Sequence, residues 1–229
     1  MLAAILFDLD GTIVNTDPIH YQVWRKMLLN YGIAIDEAFY KSRISGRLNP
    51  EIIEDILPNL SPAASQEFAD EKEAIFRQLA YHLKPLPGFT ELVDWTKTHQ
   101  LKRALVTNAP RANVEFMLEL LNIKNIFHTI VIAEDCTAAK PEPIPYQVAL
   151  EQLGIAAEQA YALEDSPSGI RAAVAAGIRT IGIASTHDPQ ELQKFGAFMA
   201  IPDFTDLQLW KLLNSTLETV TFLTKGIGV

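Results

Sequence analysis

From Phe89 to Ile201 the chain alternates short apolar runs with amphipathic segments, and this rhythm narrows the fold more than any other feature. Helical spacing is expected over Phe89–His99, Pro110–Leu121, Pro143–Leu153, Pro167–Ala176, near Pro189–Phe195 and again from Asp206. Between them, apolar stretches suited to buried strands lie at Arg103–Thr107, Thr129–Ala133, Ala160–Leu163, Arg179–Ile183 and Phe198–Ile201. Gly154 and Gly177 stand where two of the helices should stop. Strands that alternate with helices require crossover connections, which are right-handed and build a mainly parallel sheet. The tail from Glu218 to Val229 carries no pattern clear enough to assign.

One further strand comes from the amino terminus. The apolar run through Ile5-Leu6-Phe7 ends in Asp8-Leu9-Asp10-Gly11-Thr12. Extended backbone through Asp8 and Asp10 directs both carboxylates to one side, and two like charges that close demand a cation or a shared proton. Gly11 lets the chain turn away just past them. The carboxyl edge of a parallel sheet is also where ligands bind in open α/β folds.

Between that strand and the alternating region, residues 15–84 read as all-helical. Ile19, Val23, Met27 and Tyr31 recur at four-residue spacing, with Trp24 and Leu28 beside them and Gly32 beyond. Asp36 and Asn49-Pro50 each suit a helix start, and Ser61-Pro62 reads as an N-cap followed by proline in the first turn. Phe68, Ile75, Phe76, Leu79 and Leu83 continue an apolar stripe up to Pro85-Leu86-Pro87-Gly88, a stiff, turn-rich hinge. The expected organisation is an α/β, Rossmann-like sheet flanked by helices, formed by residues 1–14 and 85–229, with an all-helical insertion at 15–84. Inserted right after the acidic strand, those helices would lie over the ligand edge as a lid.

Composition narrows the partners. A net charge of −9 argues against nucleic acid or an anionic membrane surface, which need a basic face. No apolar run reaches membrane-spanning length, and the amino terminus reads as strand rather than as a secretory signal. The single cysteine, Cys136, rules out an internal disulfide framework, so a cytoplasmic protein is expected. Nothing in the sequence calls for more than a monomer.

Three other strand ends carry polar residues. Thr107-Asn108, ahead of a helix start, offers a hydroxyl and free amides, either as an anion-binding corner or as a simple turn. Lys140-Pro141-Glu142-Pro143 holds a lysine beside a backbone stiffened by two prolines. Glu164-Asp165-Ser166-Pro167 places two adjacent carboxylates before a helix, a second acidic tip suited to oxygen ligation of Mg2+. Gly169 would let that helix approach the sheet closely.

These four stations, in this order, resemble the haloacid dehalogenase superfamily of phosphotransferases, and Lys140-Pro-Glu-Pro with Leu163-Glu-Asp-Ser-Pro-Ser-Gly-Ile is similar to its β-phosphoglucomutase and sugar-phosphate phosphatase branch. The resemblance implies a Mg2+-dependent phosphoric monoester hydrolase. It makes Asp8 the nucleophile and Asp10 the acid that protonates the leaving alcohol and later takes a proton from water. Mg2+ would be held by the Asp8 carboxylate, the Asp10 backbone carbonyl and Asp165, with Glu164 direct or through water. Phosphate oxygens would meet Thr107, the Asn108 amide and Lys140, while Thr12 would support the loop. Residues 15–84 would form the substrate-specificity cap, with His20, Arg47 and Asn49 toward the organic part of a small phosphorylated metabolite and Trp24 in the cap core.

The resemblance also shows a departure. Where the mutase carries an arginine that grips a distal phosphate, this chain has Asn49, with Arg47 nearby. Loss of that anchor favours hydrolysis over a hexose-phosphate mutase reaction, unless Arg47 reaches in from another angle. A non-catalytic phosphate sensor or scaffold is the third reading.

Overall fold

The computed structural model describes residues 1–225. Six strands form one sheet: β1 (Ala4–Phe7), β2 (Lys102–Thr107), β3 (Thr129–Ile132), β4 (Ala160–Glu164), β5 (Arg179–Ile183) and β6 (Met199–Ile201). Their order is β3-β2-β1-β4-β5-β6, and every described pairing is parallel. Each expected strand is present, within a residue or two of the sequence boundaries.

The sheet is buried on both faces because the alternation of each strand feeds two cores. Ala4 and Leu6 of β1 join Ala104, Val106, Ala160 and Ala162 on one side, while Ile5 and Phe7 join Leu105, Leu163 and Ile181 on the other. The alanine-rich side takes α7 (Ile144–Leu153) and α8 (Pro167–Ala175) at close range. The bulkier side packs against α5 (Phe89–Thr98) and α6 (Arg111–Leu120). The two remaining helices of this part are α9 (Pro189–Lys194) and α10 (Leu207–Lys225). The unassigned tail therefore continues α10 as far as Lys225, and residues 226–229 lie outside the described part.

Between β1 and the hinge the described backbone holds only helices: α1 (Asp17–Leu29), α2 (Glu37–Arg43), α3 (Asn49–Ile56), α4 (Pro62–Leu79) and a 3-10 turn at Ala80–His82. The starts obey the sequence signals, since the Asp36 carboxylate accepts from the Phe39 amide at 2.8 Å and Ser61 Oγ from Ala64 at 3.2 Å. Val23, Trp24, Met27, Leu28, Phe68 and Phe76 are buried as the stripes require. Ile19, Ile75 and Leu83 are half-buried, and two stripe members are exposed, Tyr31 and Leu79, at 48% and 45%. Each of these two lies at or beyond the end of its helix, where the four-residue period no longer points inward.

The hinge is tied down at both ends. Leu86 donates its amide to Ile13 O at 2.7 Å, and Pro87 O accepts from the Phe204 amide at 3.0 Å. Gly88, at φ +79°, opens α5 in the left-handed region, and a Cβ there would lie 2.5 Å from the Phe204 carbonyl carbon. Gly88→Ala is therefore expected to cost about 2–5 kcal/mol, combining left-handed strain with overpacking. Chemical denaturation of the two proteins measures it, and equal midpoints would contradict the close approach.

Candidate active site

Parallel register brings the stations together. Phe7 is paired with Leu105 on one side and Leu163 on the other, so Asp8, Val106 and Glu164 stand next to one another at the carboxyl edge. Into this level comes Lys140, from the connection between β3 and α7. Its ammonium donates to Asp8 Oδ1 at 2.7 Å, to the Val106 carbonyl at 2.7 Å and to Glu164 Oε1 at 2.5 Å. The Asn108 side chain clamps the lysine backbone, donating to Lys140 O and accepting from Lys140 N, both at 3.0 Å. Burial alone would pull the Lys140 pKa down, but the Asp8 and Glu164 carboxylates outweigh it and push it up, so the ammonium stays charged.

Asp8, Glu164 and Asp165 are all buried and present ligand oxygens within 4.8 Å of one another. Lys140 and the Tyr146 hydroxyl (2.6 Å) both donate to Glu164 Oε1, which leaves Glu164 Oε2 buried without a partner. Asp165 accepts from Thr186 Oγ1 at 2.5 Å and, at the long distance of 3.4 Å, from Thr12 Oγ1. Burial and the Asp8 charge raise the pKa of Glu164 against the pull of Lys140; burial, Asp8 and Glu164 raise that of Asp165. One ammonium cannot balance three buried carboxylates. The donor set (all hard oxygens, one of them orphaned) therefore fits a divalent cation such as Mg2+. Two glycines make room for the acids: a Cβ at Gly11 would overlap the Asp165 carboxylate, and one at Gly169 the Glu164 carboxylate.

Asp10 does something different. Its carboxylate is not in the acidic triad; it lines the cavity together with Asp8. Burial, then the Asp8 charge, raise its pKa to about 7, against the Thr16 hydroxyl. Such a carboxyl can hold a proton near neutrality and give it up. Thr107, 1% exposed, accepts from the Ala109 amide at 3.0 Å, which leaves its hydroxyl proton to point elsewhere.

The cavity, of about 910 Å3, runs from this acidic floor up into the helical insertion. His20 stacks on Phe76 with ring centroids 4.1 Å apart, and its Nδ1 is 2.9 Å from Lys72 Nζ. Lys72 also donates to Glu73 Oε1 at 2.7 Å, and its Nζ lies 5.7 Å from the centroid of Trp24, a buried core ring as expected. Asn49 lines the cavity, but its amide donates to Glu73 Oε1 at 2.6 Å. Arg47 also borders the cavity, but its guanidinium donates to Asp55, to the Arg43 carbonyl and to the Glu51 carbonyl. The basic residue nearest to the missing arginine is thus already committed.

Several site residues escaped the sequence reading. Lys72 and Glu73 left a signal, because Phe68, Lys72 and Phe76 share the four-residue stripe of α4, so a cation stood on a buried face. Tyr146 reads as an ordinary core aromatic on α7, and Thr186 as a loop residue after β5. Only their partners, Glu164 and Asp165, reveal them.

Comparison with known proteins agrees with this geometry. Residues 5–183 match the sequence profile of the haloacid dehalogenase-like hydrolases. A phosphorylated carbohydrates phosphatase of Thermotoga maritima is 30% identical over 203 residues, covering 86% of this chain and 92% of the relative. A β-phosphoglucomutase of Bacillus subtilis is 28% identical over 226 residues, covering 95% and 96%. Among solved structures, a HAD hydrolase, family IA, variant 3, from Entamoeba histolytica superposes with a TM-score of 0.83 at 28% identity, covering 91% of this chain and 97% of the other.

The His20–Lys72–Glu73 cluster predicts how stability responds to acid. Burial and then Lys72 lower the His20 pKa from 6.5 to about 3, so protons favour the unfolded chain throughout that interval. Glu73 is held at about 2 against burial, chiefly by Lys72 and His20, so its contribution is complete above its ordinary 4.5 and lost as pH falls toward 2. Both signs agree within the cluster, while the raised carboxyls of Asp10, Glu164 and Asp165 bind protons in the folded chain and act the other way over the same range. The cluster is therefore read by difference: the melting temperature of the wild type is expected to fall relative to that of His20→Gln as the pH drops from 6.5 to 4. Thermal melts across that range test it, and an unchanged slope in the variant would contradict a buried neutral histidine.

Proposed function

The chain belongs to the haloacid dehalogenase-like hydrolases, and on that premise we propose that it is a Mg2+-dependent phosphatase of small phosphate monoesters, with a sugar or similar polyol as the leaving alcohol. The observation that carries the reading is Asp8: a buried carboxylate at the floor of the cavity, fixed by Lys140 and flanked by two more carboxylates. The helical insertion, residues 15–84, is the cap over that floor.

Asp8, with one oxygen held by Lys140, attacks phosphorus with the other; the P–O bond to the alcohol breaks as the new one to Asp8 forms. Asp10 gives its proton to the departing oxygen. It then takes a proton from a water molecule, whose oxygen attacks the aspartyl-phosphate and releases inorganic phosphate, restoring Asp8. Thr107 Oγ1 and the amide of Asn108 supply donors for the phosphoryl oxygens. The Asn108 side chain acts indirectly, by holding the Lys140 backbone. The Asp8, Glu164 and Asp165 carboxylates with the Asp10 carbonyl would hold Mg2+, which supplies the positive charge that lets a carboxylate approach an anionic ester. His20, Lys72 and Asn49 wall the space left for the alcohol.

A mutase of the β-phosphoglucomutase kind has to hold a bisphosphate by both ends. The commitment of Asn49 to Glu73 and of Arg47 to Asp55 counts against a second phosphate grip, and the complete catalytic set counts against a silent sensor. Phosphate release from a panel of hexose, pentose and polyol phosphates with Mg2+ is expected. Asp8→Asn should reduce it by roughly 10³-fold or more, and excess chelator should abolish it. Interconversion of 1- and 6-phosphates without net phosphate release would select the mutase instead; undiminished turnover in Asp8→Asn would reject the mechanism.

A further inference from the structure

Among the described residues, two side-chain hydrogen bonds shorter than 3 Å join the helical insertion to the sheet part, and both end on Asn113. This residue lies on the first turn of α6, a few positions past the Thr107–Asn108 corner, and is 3% exposed. Its Nδ2 donates to Glu73 Oε2 at 2.6 Å, and its Oδ1 accepts from Arg77 Nη1 at 2.7 Å. Glu73 and Arg77 are four apart on α4 and so present one anion and one cation side by side. A primary amide is the side chain that answers both, a donor to the acid and an acceptor from the base. The partners also fix its orientation, because a flipped amide would set like against like. Nearby, Tyr81 and Phe116 meet edge-on at 5.9 Å, which aligns the same two segments without polar specificity.

From Asn113 the contacts run into the cavity wall. Glu73 Oε1 receives Lys72 from α4 and Asn49 from the start of α3, and Lys72 Nζ reaches His20 on α1. One buried amide of the sheet part is thus linked to three helices of the insertion, at the side chains that face the space for the leaving alcohol. We propose that Asn113 is a positioning residue that docks the insertion over the active site and, through Glu73, sets Lys72, His20 and Asn49 against the organic part of the substrate. The role in turnover rests on the phosphatase reading; the docking role does not.

The test exchanges the two partners. Asn113→Asp places a carboxylate against Glu73, whereas the double variant Glu73→Gln with Asn113→Asp returns one amide and one carboxylate to the pair. Arg77 still meets an acceptor at 113, and Lys72 still meets an oxygen at 73. Hydrogen exchange of the α4 amides is expected to speed up by about tenfold or more in Asn113→Asp and to return to within about threefold of wild type in the double variant. Wild-type protection in Asn113→Asp, or no recovery in the double variant, would overturn the docking role. An Asn113→Asp chain that fails to fold while the double variant folds would support it.

Kinetics then separate docking from a general structural effect. On the sugar phosphate that the wild type turns over fastest, kcat/KM should fall by about tenfold or more in Asn113→Asp, mostly through KM. On acetyl phosphate, too small to reach Lys72 and His20, it should change by less than about threefold. Equal losses on both substrates would overturn the assignment. Absence of phosphate release by the wild type itself would reject the phosphatase reading and leave the exchange result standing on its own.

Discussion

One ammonium against three buried carboxylates is the constraint from which the rest of the site follows. Lys140 touches Asp8 and Glu164 directly, while Asp165 stands beyond its reach and takes neutral hydroxyls instead. A cluster so short of positive charge is unfavourable unless protons or a cation complete it. The fold nonetheless builds it with care: Asn108 grips the lysine backbone from both sides, Tyr146 steadies Glu164, and Gly11 and Gly169 leave out the Cβ atoms that would crowd the acids. These costs fit the proposed function, in which the site would receive a divalent cation and an anionic ester together.

Above the floor, the same economy of charge recurs in a different form. Lys72 and Glu73 are both buried, yet each has its partner, and the pair is surrounded by the neutral donors and acceptors of His20, Asn49 and Asn113. This upper wall is balanced, where the lower one is not. The contrast fits the proposed phosphatase function, in which the sheet edge would take the phosphoryl group and the helical insertion would face an uncharged alcohol. Arg47 borders the same cavity, but its guanidinium is spent on Asp55.

The elements most legible in the sequence were those with local causes. The strands and helices of the alternating region, the serine and aspartate N-caps and the glycine stop at Gly154 depend on neighbours within a few residues, and all are found. Three of the four stations were legible for the same reason, since a strand end followed by polar residues announces itself locally; Lys140 enters from the connection between β3 and α7, and its signal was the pair of prolines beside it. Misread residues had ambiguous surroundings: Tyr31 and Leu79 continue a period that their helices do not. Asn49 was legible as a helix start, and the family resemblance set it toward the substrate, but its commitment to Glu73 was not legible.

What the sequence determined by itself, then, is the periodicity, and with it a parallel sheet whose first strand delivers Asp8 and whose later strands deliver Thr107 and Glu164-Asp165. Only the tertiary structure decided which groups complete that set. Tyr146, Thr186, Lys72, Glu73 and Asn113 each meet partners on other elements, and a side chain on a buried face looks alike in sequence whether it packs or bonds. The physical reason is range: backbone preference is local, whereas the pairing of a buried charge depends on which distant element the fold places opposite it.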